Sequence, residues 1–149
     1  MILHKTELGG LLRIDLDVHR DARGGFAEAW NIRDSSFHIH QVNFSMSVLK
    51  GTFRGLHYQD PNPQTKIVFA VRGAVLDVVV DVRKDSPTYL KSFQLELTPD
   101  NGAGLYVPAG FAHGWMSLED RSQICYLVEG AWDRESEREI GRASCRERV

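Results

Sequence analysis

The sequence predicts an all-β fold of two antiparallel sheets, closed as a sandwich or small barrel, with few short helices. Three observations carry this. Short alternating apolar runs recur at roughly ten-residue spacing. Turn chemistry rich in glycine, proline, aspartate and asparagine separates them. The middle runs are apolar on both sides, as strands held inside a double-layered sheet must be. At 149 residues the chain is long enough for one domain with a real core.

Each element follows from local pattern. In "LLRIDLDV", Leu12, Ile14, Leu16 and Val18 fall on one side. "DARGG" reads as a turn, with "FAEAW" after it, and residues 33–37 hint at a helix. "HQVNFSMSVL" alternates strictly: Gln41, Asn43, Ser45 and Ser47 oppose Val42, Phe44, Met46 and Val48. "FRGLHYQ", residues 53–59, is a strand with glycine in its interior, where glycine adds backbone entropy and no packing surface. "KIVFAV" and "AVLDVVVDV" flank Arg72 and Gly73, which predict a hairpin turn. In the second of these runs Val75 and Val79 share a side with Asp77 and Asp81, while Leu76, Val78, Val80 and Val82 take the other. An unpaired carboxylate in such a stretch is costly, so Asp77 is expected to have a partner. "SFQLELT", "LYVP" and "QICYLV" complete the strands.

The ends differ from the middle. "MILHKTELGGLLRI" offers an apolar strand with no obvious mate within the chain. From Asp133 onward arginine and glutamate crowd the sequence, and Arg134, Arg138, Arg142 and Arg146 recur every four residues. That spacing predicts a solvated charged helix or a disordered end. The domain is therefore set at residues 1–140, with 141–149 as an atypical charged tail, non-native or disordered.

Composition excludes several classes. A formal net charge of −2 leaves no whole-molecule basic field for nucleic acid. Two cysteines are too few for a disulfide framework, and no apolar run approaches membrane-spanning length. A cytoplasmic protein is the expectation, with neither nucleic acid nor membrane as a partner.

Two histidines stand in glycine-flanked motifs, His57 in "FRGLHYQ" and His113 in "PAGFAHGW", as on two strands meeting across a barrel. The pair resembles the cupin small barrel, whose metal-binding members carry His-x-His in the first motif. Here that motif reads His57-Tyr58-Gln59, and a glutamine amide is a poor substitute for imidazole, so no metal site is expected. Arg54, Lys66 and Tyr126 lie near or within apolar strands. Each has a structural reading: a surface ion pair, a snorkelling edge lysine, a core ring. Taken with the polar face of Gln41, Asn43, Ser45 and Ser47, they suggest a polar interior that receives a ligand. Residues three apart on a flat strand point to opposite faces, so Arg54 and His57 share a pocket only if a bulge at Gly55 shifts the alternation by one.

"RGLHYQ", "QTKIV", "VRGAVLDVVVDVRKDSPTY", "VPAGFAHGW" and the tyrosine of "CYLV" together resemble the dTDP-4-dehydrorhamnose 3,5-epimerase family of cupin-fold sugar-nucleotide epimerases, over residues 12–140. The resemblance implies an isomerase that inverts C3, C5 or both of a dTDP-4-keto-6-deoxyhexose, in dTDP-rhamnose or related deoxysugar biosynthesis, without metal or cofactor. It implies that His57 removes the α-proton, Tyr126 re-protonates from the opposite ring face, and Lys66 stabilises the enolate. It implies nucleotide contacts from Arg23, Phe26, Glu28, Gln41, Asn43 and Glu137, and a phosphate contact from Arg54. His113 would line the sugar pocket with Asp77 holding its imidazole. Family members carry, past the position of Ile140, an aspartate partner for the catalytic histidine; "GRASCRERV" stands there instead, which predicts weakened turnover. A non-catalytic sugar-nucleotide-binding cupin and a nucleotide-sugar 3,4-ketoisomerase are the alternatives. The family also implies a homodimer.

Overall fold

Alternating runs bounded by turns become thirteen strands in the computed structural model, which describes residues 1–31, 33 and 36–141. In chain order they are β1 (Ile2–Lys5), β2 (Leu12–Asp15), β3 (His19–Asp21), β4 (Gly24–Phe26), β5 (Gln41–Met46), β6 (Phe53–Gln59), β7 (Thr65–Arg72), β8 (Val75–Asp81), β9 (Ser92–Leu97), β10 (Ala103–Val107), β11 (Phe111–Ser117), β12 (Gln123–Glu129) and β13 (Glu137–Glu139). Six form one sheet in the order β1-β2-β10-β7-β12-β5, and five form a second, β13-β6-β11-β8-β9. β3 and β4 make a separate hairpin. Every pairing is antiparallel, as the alternating pattern predicts.

The main core lies between the two large sheets. Val68, Ala70 and Leu105 of one meet Val75, Val79 and Trp115 of the other. β7 is buried on both faces because Ile67 and Phe69 point the other way, into a second cluster with Phe37 and Ile14 beneath the chain around Trp30 and Ile39. In β8 the side bearing Val75, Asp77, Val79 and Asp81 is the fully buried one. Asp81 is satisfied there by Arg83, Ser86 and Thr88, which all donate to its carboxylate.

Several expectations need correction. Arg72 and Gly73 do not close a hairpin: β7 and β8 belong to different sheets, so this turn carries the chain from one layer to the other. Gly73 has φ 68°, and a Cβ there would stand 2.7 Å from the Ser122 hydroxyl. The first strand does have a mate, since β1 pairs with β2 from Ile2 opposite Asp15 to Lys5 opposite Leu12. The helix expected from Arg134 is replaced by a turn and then β13, whose residues 137–139 pair with the outer edge of β6. The rest of that arginine series, Arg142 and Arg146, and residues 34 and 35 of the expected helix at 33–37 lie outside the described residues. His57 and His113 do not meet across the barrel. They are directly opposed on neighbouring strands of one sheet.

Candidate active site

Toward the β13 end of the sandwich the space between the sheets turns polar and opens. β5 supplies one wall: Gln41, Asn43 and Ser45 face inward, while Val42, Phe44 and Met46 are exposed. The inward face is the polar one, as its alternation suggested. The Gln41 amide donates to Asn43 at 2.8 Å, which fixes the two side chains against each other.

The opposite wall depends on glycine. Arg54 pairs with Trp115 and His57 with His113, so three steps on β6 match two on β11. That is a β-bulge, with the extra residue on β6. Gly55 lies in it at φ 111°, and a Cβ there would sit 2.8 Å from both the Gly114 Cα and the His113 carbonyl oxygen. Only glycine permits that approach. The expected re-aiming occurs: Arg54 and His57 both line the cavity, whose volume is about 300 Å³.

Arg54 is held at the end of β5, donating from Nε to the Ser47 hydroxyl just past the strand at 3.1 Å and from its terminal nitrogen to the Met46 carbonyl at 2.7 Å. The His57 side chain is about 41% exposed and so reachable from solvent, while its Nδ1 is buried, 4.0 Å from a Glu137 carboxylate oxygen. The strand register explains the approach, because Glu137 lies opposite Gln59 and Glu139 opposite His57.

Deeper in, His113 and Asp77 form a buried pair, Nε2 lying 2.9 Å from both carboxylate oxygens. Asp77 thus has the partner its setting demanded. Burial pushes its carboxyl above the ordinary range, opposed by the positive charge and hydrogen bond of His113 and by Lys66. Burial likewise pulls the Lys66 ammonium below its usual value, opposed by Asp77 and Glu137. Tyr126, on β12 of the facing sheet, packs edge-on against His113 with ring centroids 5.7 Å apart. Its phenol is pushed well up, chiefly by burial and then by the Asp77 charge. The indole of Trp115 donates to its oxygen at 2.7 Å.

The cavity therefore gathers His57, Lys66, Tyr126, His113, Arg54, Gln41, Asn43 and Glu137, with Asp77 behind His113. It does not gather Arg23, Phe26 and Glu28. Arg23 is on the β3–β4 turn in an ion pair with Asp21, Phe26 is 70% exposed, and Glu28 follows the hairpin. Glu137, expected at the nucleotide, stands beside His57. Sequence reasoning missed Trp132, an exposed aromatic at the mouth. Its place just after Gly130 in "EGAWDRES", within a charged stretch, was the available signal. Gln59, at the second cupin ligand position, is an anchor: its amide donates to the Asn62 and Ala131 carbonyls and its oxygen accepts from the Asp133 N–H. Among the described residues no three His, Cys, Asp or Glu side chains are grouped to hold a metal ion.

Chemically, the arrangement sets a solvent-accessible imidazole on one sheet and a buried phenol on the other, with an ammonium beside them. That is equipment for moving protons to and from a carbon next to a carbonyl.

The comparisons point the same way. A family model described as dTDP-4-dehydrorhamnose 3,5-epimerase matches residues 5–146. The chain is 45% identical over 126 residues to the dTDP-4-dehydrorhamnose 3,5-epimerase of Sinorhizobium fredii, the match covering 79% of this chain and 64% of that protein. The chain thus spans just under two thirds of that relative's length. Among solved structures it resembles the dTDP-6-deoxy-D-glucose 3,5-epimerase of Legionella pneumophila in complex with dTDP-4-keto-L-rhamnose, with TM-score 0.89, 32% identity, and coverage of 97% of this chain and 79% of that one. The dTDP-4-dehydrorhamnose 3,5-epimerase of Sulfolobus tokodaii gives TM-score 0.86 and 38% identity, over 95% of this chain and 83% of that one.

Proposed function

The chain belongs to the dTDP-4-dehydrorhamnose 3,5-epimerase family, and we propose that it inverts carbons next to the 4-keto group of a dTDP-4-keto-6-deoxyhexose. One observation carries the reading: His57 and Tyr126 enter a single cavity from the two facing sheets. A ketone bound between them has its α-proton removed by His57 on one ring face and a proton returned by Tyr126 on the other. Lys66 stabilises the enolate oxygen as its charge develops. His113, held by Asp77, orients the sugar, and Arg54, fixed by β5, takes a phosphate oxygen. Gln41, Asn43 and Glu137 complete the substrate contacts, and the exposed ring of Trp132 closes the mouth.

Arg23 and Phe26 on the β3–β4 hairpin and Glu28 just after it lie outside this cavity, so their proposed nucleotide contact is made to the substrate of a second copy. That arrangement needs a homodimer, which we propose, and its mass in solution would be twice 16.9 kDa. Residues 1–140 are proposed as the epimerase domain and 141–149 as an attached tail. Among the described residues no helix is long and apolar enough to cross a membrane. We propose, from the likeness to sugar-nucleotide epimerases, a cytoplasmic enzyme acting in deoxysugar biosynthesis.

The test is deuterium wash-in. The protein is incubated with a dTDP-4-keto-6-deoxyhexose in heavy water, and label and configuration are read at C3 and C5. Labelled, inverted product supports the reading, at both carbons for a double epimerase and at one for a single. Movement of the keto group to C3 would identify a ketoisomerase, and recovery of unlabelled substrate would overturn catalysis altogether.

A further inference from the structure

The hydrogen bond from Trp115 to the Tyr126 oxygen has no part in the scheme above. Trp115 Nε1 lies 2.7 Å from that oxygen. An indole N–H can only donate, so the phenol oxygen is the acceptor. Trp115 is 1% exposed and belongs to the main core cluster, on β11 between β6 and β8. Packing on all sides holds its ring, and hence the direction of its N–H.

Two consequences follow for the phenol. A lone pair engaged by a rigid donor prevents the hydroxyl proton from turning toward Trp115, so that proton is aimed along the remaining arc, where the cavity and Ser45 lie. When the proton leaves, the oxygen becomes anionic, and the same N–H makes a stronger charge-assisted bond. Burial and the nearby Asp77 charge both oppose a phenolate, and of the groups that favour one, Trp115 comes first, ahead of Ser45 and Arg54.

We propose that Trp115 is a positioning residue for the acid: its N–H aims the Tyr126 proton at the substrate and holds the phenolate that remains. This rests on the epimerase reading. His57 takes the α-proton, and the C–H electron pair becomes the enolate. The enolate carbon then takes the Tyr126 proton on its other face, forming the new C–H bond and restoring the carbonyl. Imidazolium and phenolate are left. The half-exposed imidazolium gives its proton to water, and the phenolate recovers one from solvent. Trp115 acts only on the Tyr126 half of this cycle.

The full chain is tested with a dTDP-4-keto-6-deoxyhexose in heavy water, reading two quantities at the same carbon. One is deuterium in recovered, uninverted substrate, which reports His57 alone. The other is inverted product, which needs Tyr126 as well. Trp115→Phe removes the donor. Replacing Trp115 by β-(3-benzothienyl)alanine removes it while keeping the ring's shape, and decides the matter should the phenylalanine variant fail to fold. Inversion is expected to fall about tenfold or more relative to exchange, the effect of losing a hydrogen bond to a charged oxygen. Exchange should stay at the wild-type level, and in a Tyr126→Phe background the Trp115 substitution should change nothing further. An unchanged ratio in the benzothienyl variant, or an equal loss with Tyr126 already gone, overturns the assignment. Wild-type protein giving neither exchange nor inversion would instead overturn the epimerase reading, and the assignment with it.

Discussion

Asp77→Ala should cost about 2–4 kcal/mol of stability, and Asp77→Asn almost none. Asp77 is wholly buried and both its oxygens lie 2.9 Å from His113 Nε2. Alanine deletes that acceptor and leaves a polar nitrogen of a 3%-exposed ring without its partner, which costs about 1–3 kcal/mol. The vacated carboxyl volume adds about 1 kcal/mol. For a domain of this size the sum corresponds to a fall in melting temperature of roughly 5–15 °C. Asparagine keeps an oxygen at the same place to accept from His113 Nε2, so its net effect should stay within about 1 kcal/mol. The pH dependence has a definite sign. Burial raises the folded carboxyl above the ordinary aspartate value, so its contribution favours the folded state in acid and fades as pH climbs from there through the folded value. Asp77→Asn should flatten that part of the curve. Chemical denaturation of the three proteins at neutral pH, repeated near pH 4, makes the comparison. Equal stability of the alanine and asparagine variants would refute the reasoning, because His113 would then not depend on a buried acceptor.

Three further outcomes are expected. Gly55→Ala should destabilise the fold by about 2–3 kcal/mol, because a Cβ 2.8 Å from the Gly114 backbone forces β6 and β11 apart; it should also lower substrate binding, read by calorimetry with dTDP, and a variant that binds normally would mean that the bulge does not aim Arg54. Lys66→Met should lower kcat about 10²–10³-fold with little change in KM, since it deletes charge stabilisation needed mainly by the enolate, and steady-state kinetics with an equal rise in KM would show a binding role instead. Asp81, whose carboxyl is depressed by Arg83, Ser86 and Thr88, should give the opposite pH signature to Asp77: its stabilisation is present above about pH 4 and is lost as pH falls through the folded value, so Asp81→Asn should narrow the stability difference between pH 7 and pH 3, and an unchanged difference would argue against the network.

How much of this could be read from the chain depends on whether the deciding force was local. The polar face of β5 was legible because alternation along one strand sets which side chains share a face. The bulge was legible as a contradiction: Arg54 and His57 are three residues apart, glycine lies between them, and one pocket needs both. That Asp77 has a partner followed from the cost of a buried charge. Pairing was a different matter. A glycine turn at residue 73 looks the same whether it closes a hairpin or crosses between layers, and the choice belongs to distant strands β10, β12, β11 and β9. Likewise Glu137–Glu139 has a charge period suited to a helix. The open edge of β6 offered a ladder of backbone bonds, and tertiary pairing prevailed over local preference. Trp115 reads as one more core ring until its neighbour across the sandwich proves to be a phenol.

Inversion at a planar carbon needs two groups on opposite sides of it, and that requirement bears on the architecture as a whole. Side chains on one face of one sheet approach from a single side, so no spacing within a strand provides both. Two facing sheets about 10 Å apart do, if the space between them is left unfilled at one end. Here hydrocarbon from Val68, Val79, Leu105 and Ile124 closes the core on one side, while Gln41, Asn43, Ser45 and the bulged β6 keep the other polar and open. The packed part holds Trp115 and, through it, Tyr126, whereas the open part leaves His57 in reach of water. On the proposed mechanism the unequal burial of the two groups suits their roles: the base sits at the solvent edge, where it can shed its proton each cycle, and the acid sits against the core, where Trp115 holds its oxygen.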